Sequence, residues 1–250
     1  MQVFFEKSIF FLNSRQIYYI IKNIKIGVIC VIKAVIFDLD GTLANTLYDL
    51  QDALNRALVK YGFAERTLEE YRRFVGNGMD NLVFRASGEC ADEEIRAKIK
   101  KEFLDYYALH SCDKTVAYDG TKELLADVKA LGLKTAVVTN KDDAAAKVVV
   151  NDLFGDAFDI VAGHIPPFAH KPDPALTLHV MEMLGVKPCE CVFLGDSGVD
   201  IKTGVNSGAV AVGETWGYRD EDELVAAGAK YIIHNPNEFI GLLKEIDNEL

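Results

Sequence analysis

Hydrophobic and polar positions recur with two different periods along this chain, and the change of period divides it. Ile32-Lys33-Ala34-Val35-Ile36-Phe37 is a short β-branched apolar run that predicts a buried strand, and the polar turn Asp38-Leu39-Asp40-Gly41-Thr42 closes it at the carboxyl end. From Leu47 the spacing becomes helical: Leu47, Leu50, Leu54, Leu58 and Tyr61 share one face, and Gly62 stops the run. Thr67 with Glu70 three residues on is a capping box for a second helix. A third helix covers about residues 79–86, and Ile95, Ile99, Phe103 and Tyr106 mark a fourth. Residues 47 to about 116 therefore read as helical throughout.

Beyond Tyr118-Asp119-Gly120, helix and strand alternate. Leu124, Leu125, Val128 and Leu131 form a helix face that Gly132 ends, and Thr135-Ala136-Val137-Val138 is a strand. Strands near 158–162, 191–194, 209–212 and 231–233 follow, separated by helical segments, one of them opened by Pro174 and closed by Gly185. This βα beat predicts an α/β fold, a Rossmann-like parallel sheet with helices on both faces and ligands at the carboxyl ends of the strands. A helical insert directly after the first strand is positioned as a lid over that edge. The expected organisation is an α/β core of residues 31–46 and 117–250 with a helical cap of residues 47–116.

Composition narrows the possible partners. The 250 residues are 50% hydrophobic and 26% charged, which excludes a disordered or fibrous chain. A net charge of −11 repels phosphate backbones and anionic lipid, so neither nucleic acid nor a membrane is the expected partner. An anionic substrate then has to be held by a local arrangement, such as a metal ion or a few aimed donors. Cys30, Cys90, Cys112, Cys189 and Cys191 are scattered and odd in number, which suits a reducing cytosol and a cytoplasmic location. Cys189 and Cys191, with no second pair and no nearby His, make a poor zinc site. Residues 1–30 differ in character, being aromatic-rich and basic, with Lys7, Arg15, Lys22 and Lys25 against Glu6 alone. Their apolar runs are broken well before the ~18 residues a membrane span needs. They are expected to be an appendage, as from a mis-assigned translation start; a membrane-surface helix is the alternative.

The acids carry the chemistry. Asp38 and Asp40 flank one residue, so in an extended segment their carboxylates face one side, where joint ionisation is disfavoured unless a cation intervenes. Phosphoryl transfer through an aspartate nucleophile uses such a pair: one carboxylate attacks phosphorus, while the other gives a proton to the leaving oxygen and later takes one from water. A polar turn capping the next helix would suit Gly41-Thr42 but does not need two acids. Thr139-Asn140 offers a hydroxyl and an amide at the level of Asp38, and Lys171-Pro172-Asp173-Pro174 places an ammonium just ahead of a helix. Gly195-Asp196-Ser197-Gly198-Val199-Asp200 closes a further strand with two more acids. Three or more carboxylates at one sheet edge call for a hard divalent cation, with Mg²⁺ the expected cofactor. With Asp40 protonated, one Mg²⁺ and Lys171 cancel the charge of Asp38, Asp196 and Asp200.

Taken in order, Asp38-Leu39-Asp40-Gly41-Thr42, Thr139, Lys171-Pro172 and Gly195-Asp196-Ser197 with Asp200 resemble the four motifs of the haloacid dehalogenase superfamily. The helical insert, Gly76-Asn77-Gly78, Val138-Thr139-Asn140-Lys141 and Thr215-Trp216-Gly217-Tyr218-Arg219 look most like its phosphoglycolate phosphatases. The resemblance implies Asp38 as nucleophile and metal ligand, and Asp40 as acid/base that also lends its backbone carbonyl to the metal. It further implies Asp196 as the remaining metal ligand and Asp200 as a supporting acid behind it. Thr42, Thr139 and Asn140 would bind the phosphoryl group, and Lys171 would steady both nucleophile and phosphate. Dehalogenases resemble this pattern without an acid at the position of Asp40, so its presence points to breaking a P–O bond. Asn45 and His170 stand where many relatives carry Asp and Arg.

The function so implied is Mg²⁺-dependent hydrolysis of a small phosphorylated metabolite, with 2-phosphoglycolate foremost, by a monomer or homodimer. A sugar phosphomutase or pyrophosphatase of the same fold is the alternative, and, from a different class, a binding module that has lost turnover. His110, His164, His179 and His234 have no partner in these motifs and read as surface or packing residues. Trp216 is expected to pack, and Met181 and Met183 to fill the core.

Overall fold

In the computed structural model, which describes residues 31–88 and 91–249, the first predicted strand lies at the centre of a six-stranded sheet. It is β1, Ala34–Phe37, and its register pairs Phe37 with Val137 of β4 (Lys134–Asp142) on one side and with Leu194 of β6 (Cys191–Gly195) on the other. Both pairings are parallel. β5 (Ile160–His164) lies outside β4, and β7 (Val210–Glu214) and β8 (Tyr231–Ile233) continue beyond β6, all parallel. The chain thus builds outward from β1 to β5, then returns to build outward the other way. Such a reversal leaves a crevice beyond the carboxyl ends of β1, β4 and β6.

Both faces of the sheet are covered, which is why its strands read as unbroken apolar runs rather than alternating ones. Val35 and Phe37 point into one apolar cluster with Val137, Val192 and Leu194, while Ala34 and Ile36 point into another with Ala136, Val138 and Phe193. Helices α5 (Thr121–Ala130), α6 (Asp143–Phe154) and α10 (Phe239–Glu249) close the first face. The second is closed by α7 (Ala175–Leu184), whose Gly185 cap is left-handed as a helix stop requires. Helix α8 (Gly198–Ser207) follows β6, and α9 (Glu221–Ala226) precedes β8.

Four helices separate β1 from the rest of the sheet: α1 (Leu47–Lys60), α2 (Leu68–Phe74), α3 (Met79–Ser87) and α4 (Glu93–His110). They share a separate apolar cluster in which Leu47, Leu50, Leu54 and Leu58 meet Tyr71, Ile99, Phe103 and Tyr107. The capping box at Thr67 and Glu70 is present. Thr67 Oγ1 accepts from Glu70 N–H at 3.3 Å, and the Glu70 carboxylate accepts from Thr67 N–H at 2.7 Å.

Several sequence expectations change. At the borders of the helical insert, β2 (Ala44–Asn45) and β3 (Val116–Ala117) form a two-stranded antiparallel ribbon where the chain leaves the sheet and returns. Two-residue strands carry no periodicity, so nothing in the pattern announced them. The buried face of α4 runs Ile99, Phe103, Tyr107; Tyr106 instead stacks on His110 at 4.1 Å. Met181 is buried, but Met183 is 58% exposed. β4 continues through the polar residues Thr139, Asn140 and Lys141, beyond the apolar run that suggested it. Cys112 and Cys191 are free thiols, whereas Cys189 is disulfide-bonded. Val31–Leu250 is one compact unit. The expected appendage at 1–30 lies outside the described residues. Among the described residues no helix is long and apolar enough to cross a membrane.

The two crossings beside the ribbon are tied by Asp49. It is 3% exposed, and it accepts from the backbone N–H groups of Lys114 and Thr115 and from the Thr115 hydroxyl at 2.7 to 3.0 Å. Replacing Asp49 by Ala strands two backbone donors, one of them buried, and is expected to cost about 3 kcal/mol in urea unfolding. A loss below about 1 kcal/mol would show that the crossing is held by its apolar contacts alone.

Candidate active site

The carboxyl ends of β1, β4 and β6 bring the predicted acids together. Asp38, the residue after β1, donates its N–H to Leu194 O at 3.0 Å, which sets it level with the end of β6. Asp196 follows β6, and Asp200 lies in the first turn of α8, where the loop closes on itself. Ser197 Oγ and N–H both donate to Asp200 Oδ2, at 2.5 and 3.1 Å. One oxygen from each of Asp38, Asp196 and Asp200 lies within 4.8 Å of the others, and all three residues are buried.

Lys171 is the first counter-charge. Its ammonium sits 2.8 Å from Asp38 Oδ1 and 2.7 Å from Asp200 Oδ1, and it also donates to Val138 O at 3.1 Å. Asp40 faces a second lysine. Lys141 Nζ lies 2.8 Å from Asp40 Oδ1, and Thr46 Oγ1 donates to the same oxygen at 2.6 Å. Counted as ionised, four aspartates exceed two lysines by the charge of one divalent cation. For Asp40 to act as an acid it must carry a proton, and the two lysines with one divalent cation then exceed the three remaining carboxylates by a single positive charge, which suits an incoming phosphate.

The donor set suits such a cation. Burial and the neighbouring Asp200 raise the Asp38 carboxyl to about 7, and burial with Asp200 and Asp38 raises Asp196 well above the carboxylate range. Burial is the larger cause in both and neighbouring negative charge the second, and a hard cation with oxygen ligands offsets both by holding the carboxylates in their charged form. Asp200 already accepts donors on both oxygens, from Lys171 and Ser197, which suits it to orienting the lysine. Asp196 accepts Tyr218 N–H on Oδ2 at 2.8 Å and only a long 3.4 Å bond from Thr42 on Oδ1.

Thr139 and Asn140 line a cleft with Asp38, Asp40 and Lys141. Leu50, Val75, Met79 and Leu82 of the inserted segment supply its apolar wall. Neither Thr42 nor Lys171 is on that wall; Thr42 packs on Asp196 and Lys171 stands behind Asp38. The Asn140 amide, expected to face a phosphate, is otherwise engaged: it donates to Gly76 O at 2.9 Å and Lys171 O at 3.2 Å and accepts from Lys171 N at 2.7 Å. Asn140 thereby ties the insert to the Lys171 loop.

The segment after β7 grips the same region. Tyr218 OH accepts from Thr46 N–H at 3.0 Å, and Trp216 Nε1 donates to Thr42 O at 3.0 Å, so Trp216 packs as expected. Arg72 donates to Tyr218 O and Gly217 O, while Arg219 returns bonds to Arg72 O and Val75 O. Their partners lie about 145 residues away in sequence, so no local pattern could show them. His164 stacks on His170 at 3.6 Å, outside the acid cluster.

The sequence matches the haloacid dehalogenase-like hydrolase family over residues 35–213. The chain belongs to this family. Among its curated relatives, a phosphoglycolate phosphatase of Psychrobacter arcticus is 39% identical over 193 residues, covering 73% of this chain and 83% of the relative. One of Mannheimia succiniciproducens is 34% identical, covering 85% and 97%. A crystal structure of a predicted phosphoglycolate phosphatase from Haemophilus somnus superposes with a TM-score of 0.79 at 29% identity, covering 84% of this chain and 97% of that one.

Gly217 tests how closely the acids are fitted. A Cβ there would lie 2.4 Å from Asp196 Cβ and 2.5 Å from Gly41 O. Gly217→Ala is expected to displace Asp196 and, if these acids hold a divalent cation, to weaken Mg²⁺ binding in calorimetry about tenfold or more, with the circular dichroism of the fold retained. Unchanged binding would show that Asp196 tolerates the shift and is not a ligand.

Proposed function

We propose that this phosphatase is Mg²⁺-dependent and hydrolyses a small phosphomonoester, 2-phosphoglycolate being the foremost substrate, through an aspartyl-phosphate on Asp38. The supporting observation is the placement of Asp38 and Asp40 on one cleft, each beside its own lysine, with Asp196 and Asp200 behind Asp38. Likeness to relatives named phosphoglycolate phosphatase supports the substrate. The four inserted helices would act as a cap over the cleft, moving about the β2–β3 ribbon.

In this reading an Asp38 carboxylate oxygen attacks phosphorus, the bond from phosphorus to the ester oxygen breaks, and Asp40 donates a proton to that oxygen as it leaves. Water then attacks the aspartyl-phosphate, giving a proton back to Asp40, and the acyl-phosphate O–P bond breaks to release phosphate. Lys171 holds Asp38 in line from behind, and Thr139 donates to the phosphoryl oxygens. Asp38, Asp196 and the Asp40 backbone carbonyl would hold Mg²⁺, which supplies further neutralisation of the transferring group. The apolar wall excludes bulk water while the acyl-phosphate exists.

Phosphate release from 2-phosphoglycolate is expected to require Mg²⁺ and to stop with a chelator. Asp38→Asn and Asp40→Asn should each lower kcat by roughly 10²-fold or more. Isomerisation of a hexose 1-phosphate without phosphate release would replace this reading with a mutase. Full activity in Asp38→Asn would remove the nucleophile assigned here.

A further inference from the structure

The mechanism above gives no part to one charged side chain on the cleft wall. Lys141 is buried, its side chain 3% exposed, with its ammonium on Asp40 and over the Tyr107 ring at 5.1 Å from the centroid. Among the described residues lining the cleft it is the only cation, since Lys171 stands behind Asp38 on Asp200. Facing it are the apolar side chains of Leu50, Val75, Met79 and Leu82.

This distribution restricts the leaving group. The phosphoryl group belongs at Asp38 and Thr139, so the ester oxygen must lie toward Asp40, which protonates it. What hangs from that oxygen meets Lys141 and the apolar wall. A sugar or polyol would press several hydroxyls against Leu50, Val75, Met79 and Leu82 without partners, which is costly. A carboxylate would meet a buried ammonium, a strong charge-assisted pairing. In an ester of a 2-hydroxy acid the carboxylate carbon is two bonds from the ester oxygen. The group that protonates this oxygen and the group that binds the carboxylate must therefore be neighbours, as Asp40 and Lys141 are at 2.8 Å.

We propose that Lys141 is the specificity-determining receptor for a carboxylate on the leaving group, making short phosphomonoesters of 2-hydroxy acids the substrate class of this site. The inference rests on the phosphatase reading of Asp38 and Asp40. Lys141 would then bridge Asp40 and the substrate carboxylate, so the ammonium serves selection and holds the acid in place at once. The apolar wall limits the length of the acid that fits.

Comparison of 2-phosphoglycolate with ethyl phosphate isolates the carboxylate, because the two esters share chain length and bond cleaved. Loss of Lys141 also disturbs Asp40, so the readout is the ratio of kcat/KM for the two substrates rather than either value. In K141M the ratio is expected to fall at least about 30-fold, with part of it restored in K141R. An unchanged ratio, with both substrates losing equally, would overturn the proposal and leave Lys141 as a positioning residue for Asp40. A wild-type enzyme that does not favour 2-phosphoglycolate over ethyl phosphate would overturn it as well. Should K141M fail to fold, the wild-type protein decides: glycolate should inhibit competitively at concentrations about tenfold or more below its neutral isostere glycolamide, and equal inhibition contradicts the proposal. Failure of the underlying phosphatase reading shows separately, as an Asp38→Asn variant that still releases phosphate from either ester.

Discussion

Burying four aspartates around two lysines at one edge of a parallel sheet is the constraint on which the rest of this structure depends. Lys171 meets it by pairing with Asp38 and Asp200 at once, and Lys141 by pairing with Asp40. Neither lysine can be spared: a buried carboxylate left without its partner costs several kcal/mol. The backbone is shaped to the same end. Gly41 adopts φ +99°, and a Cβ there would lie 2.4 Å from Asp196 Oδ2, so the turn after β1 can close over this acid only as glycine. Gly217 lets the chain after β7 come against the same aspartate and the Gly41 carbonyl.

Much of this was legible in the sequence because each acid directly follows an apolar run. A buried strand ending in Asp38-Leu39-Asp40-Gly41-Thr42 or Gly195-Asp196 places its acids at the sheet edge without knowledge of the rest of the chain. What local pattern cannot show depends on partners distant in sequence. Lys141 was in view beside Thr139 and Asn140, yet its partner Asp40 is 101 residues away, and only the sheet order makes them neighbours. The resemblance implies a phosphate as partner for the Asn140 amide, whereas packing engages it with Gly76 and Lys171. Tyr106 and Tyr107 are adjacent, so a helical pattern could place either on the inner face. The four-residue step from Phe103 selects Tyr107, which puts that ring against Lys141.

The two layers divide the chemistry. Every charged group on the cleft wall comes from the sheet edge, while the inserted helices contribute Leu50 and Leu82 and the segment before α3 contributes Val75. Bond breaking is thus assigned to the strand ends, and the apolar helices set what can accompany the phosphate. The Arg72 and Arg219 guanidinium bonds join the layers through backbone carbonyls.

The excess of buried negative charge can be measured directly by thermal unfolding of wild-type protein and Asp196→Asn, each with Mg²⁺ and with a chelator. Asn keeps the shape and can still accept from Tyr218 N–H while removing one charge. If a divalent ion completes the site, Mg²⁺ raises the wild-type melting temperature by mass action. Asp196→Asn melts higher than wild type in chelator and gains little from Mg²⁺. A wild-type protein indifferent to Mg²⁺, or an Asp196→Asn variant that melts lower in chelator, would contradict the charge balance proposed for this site.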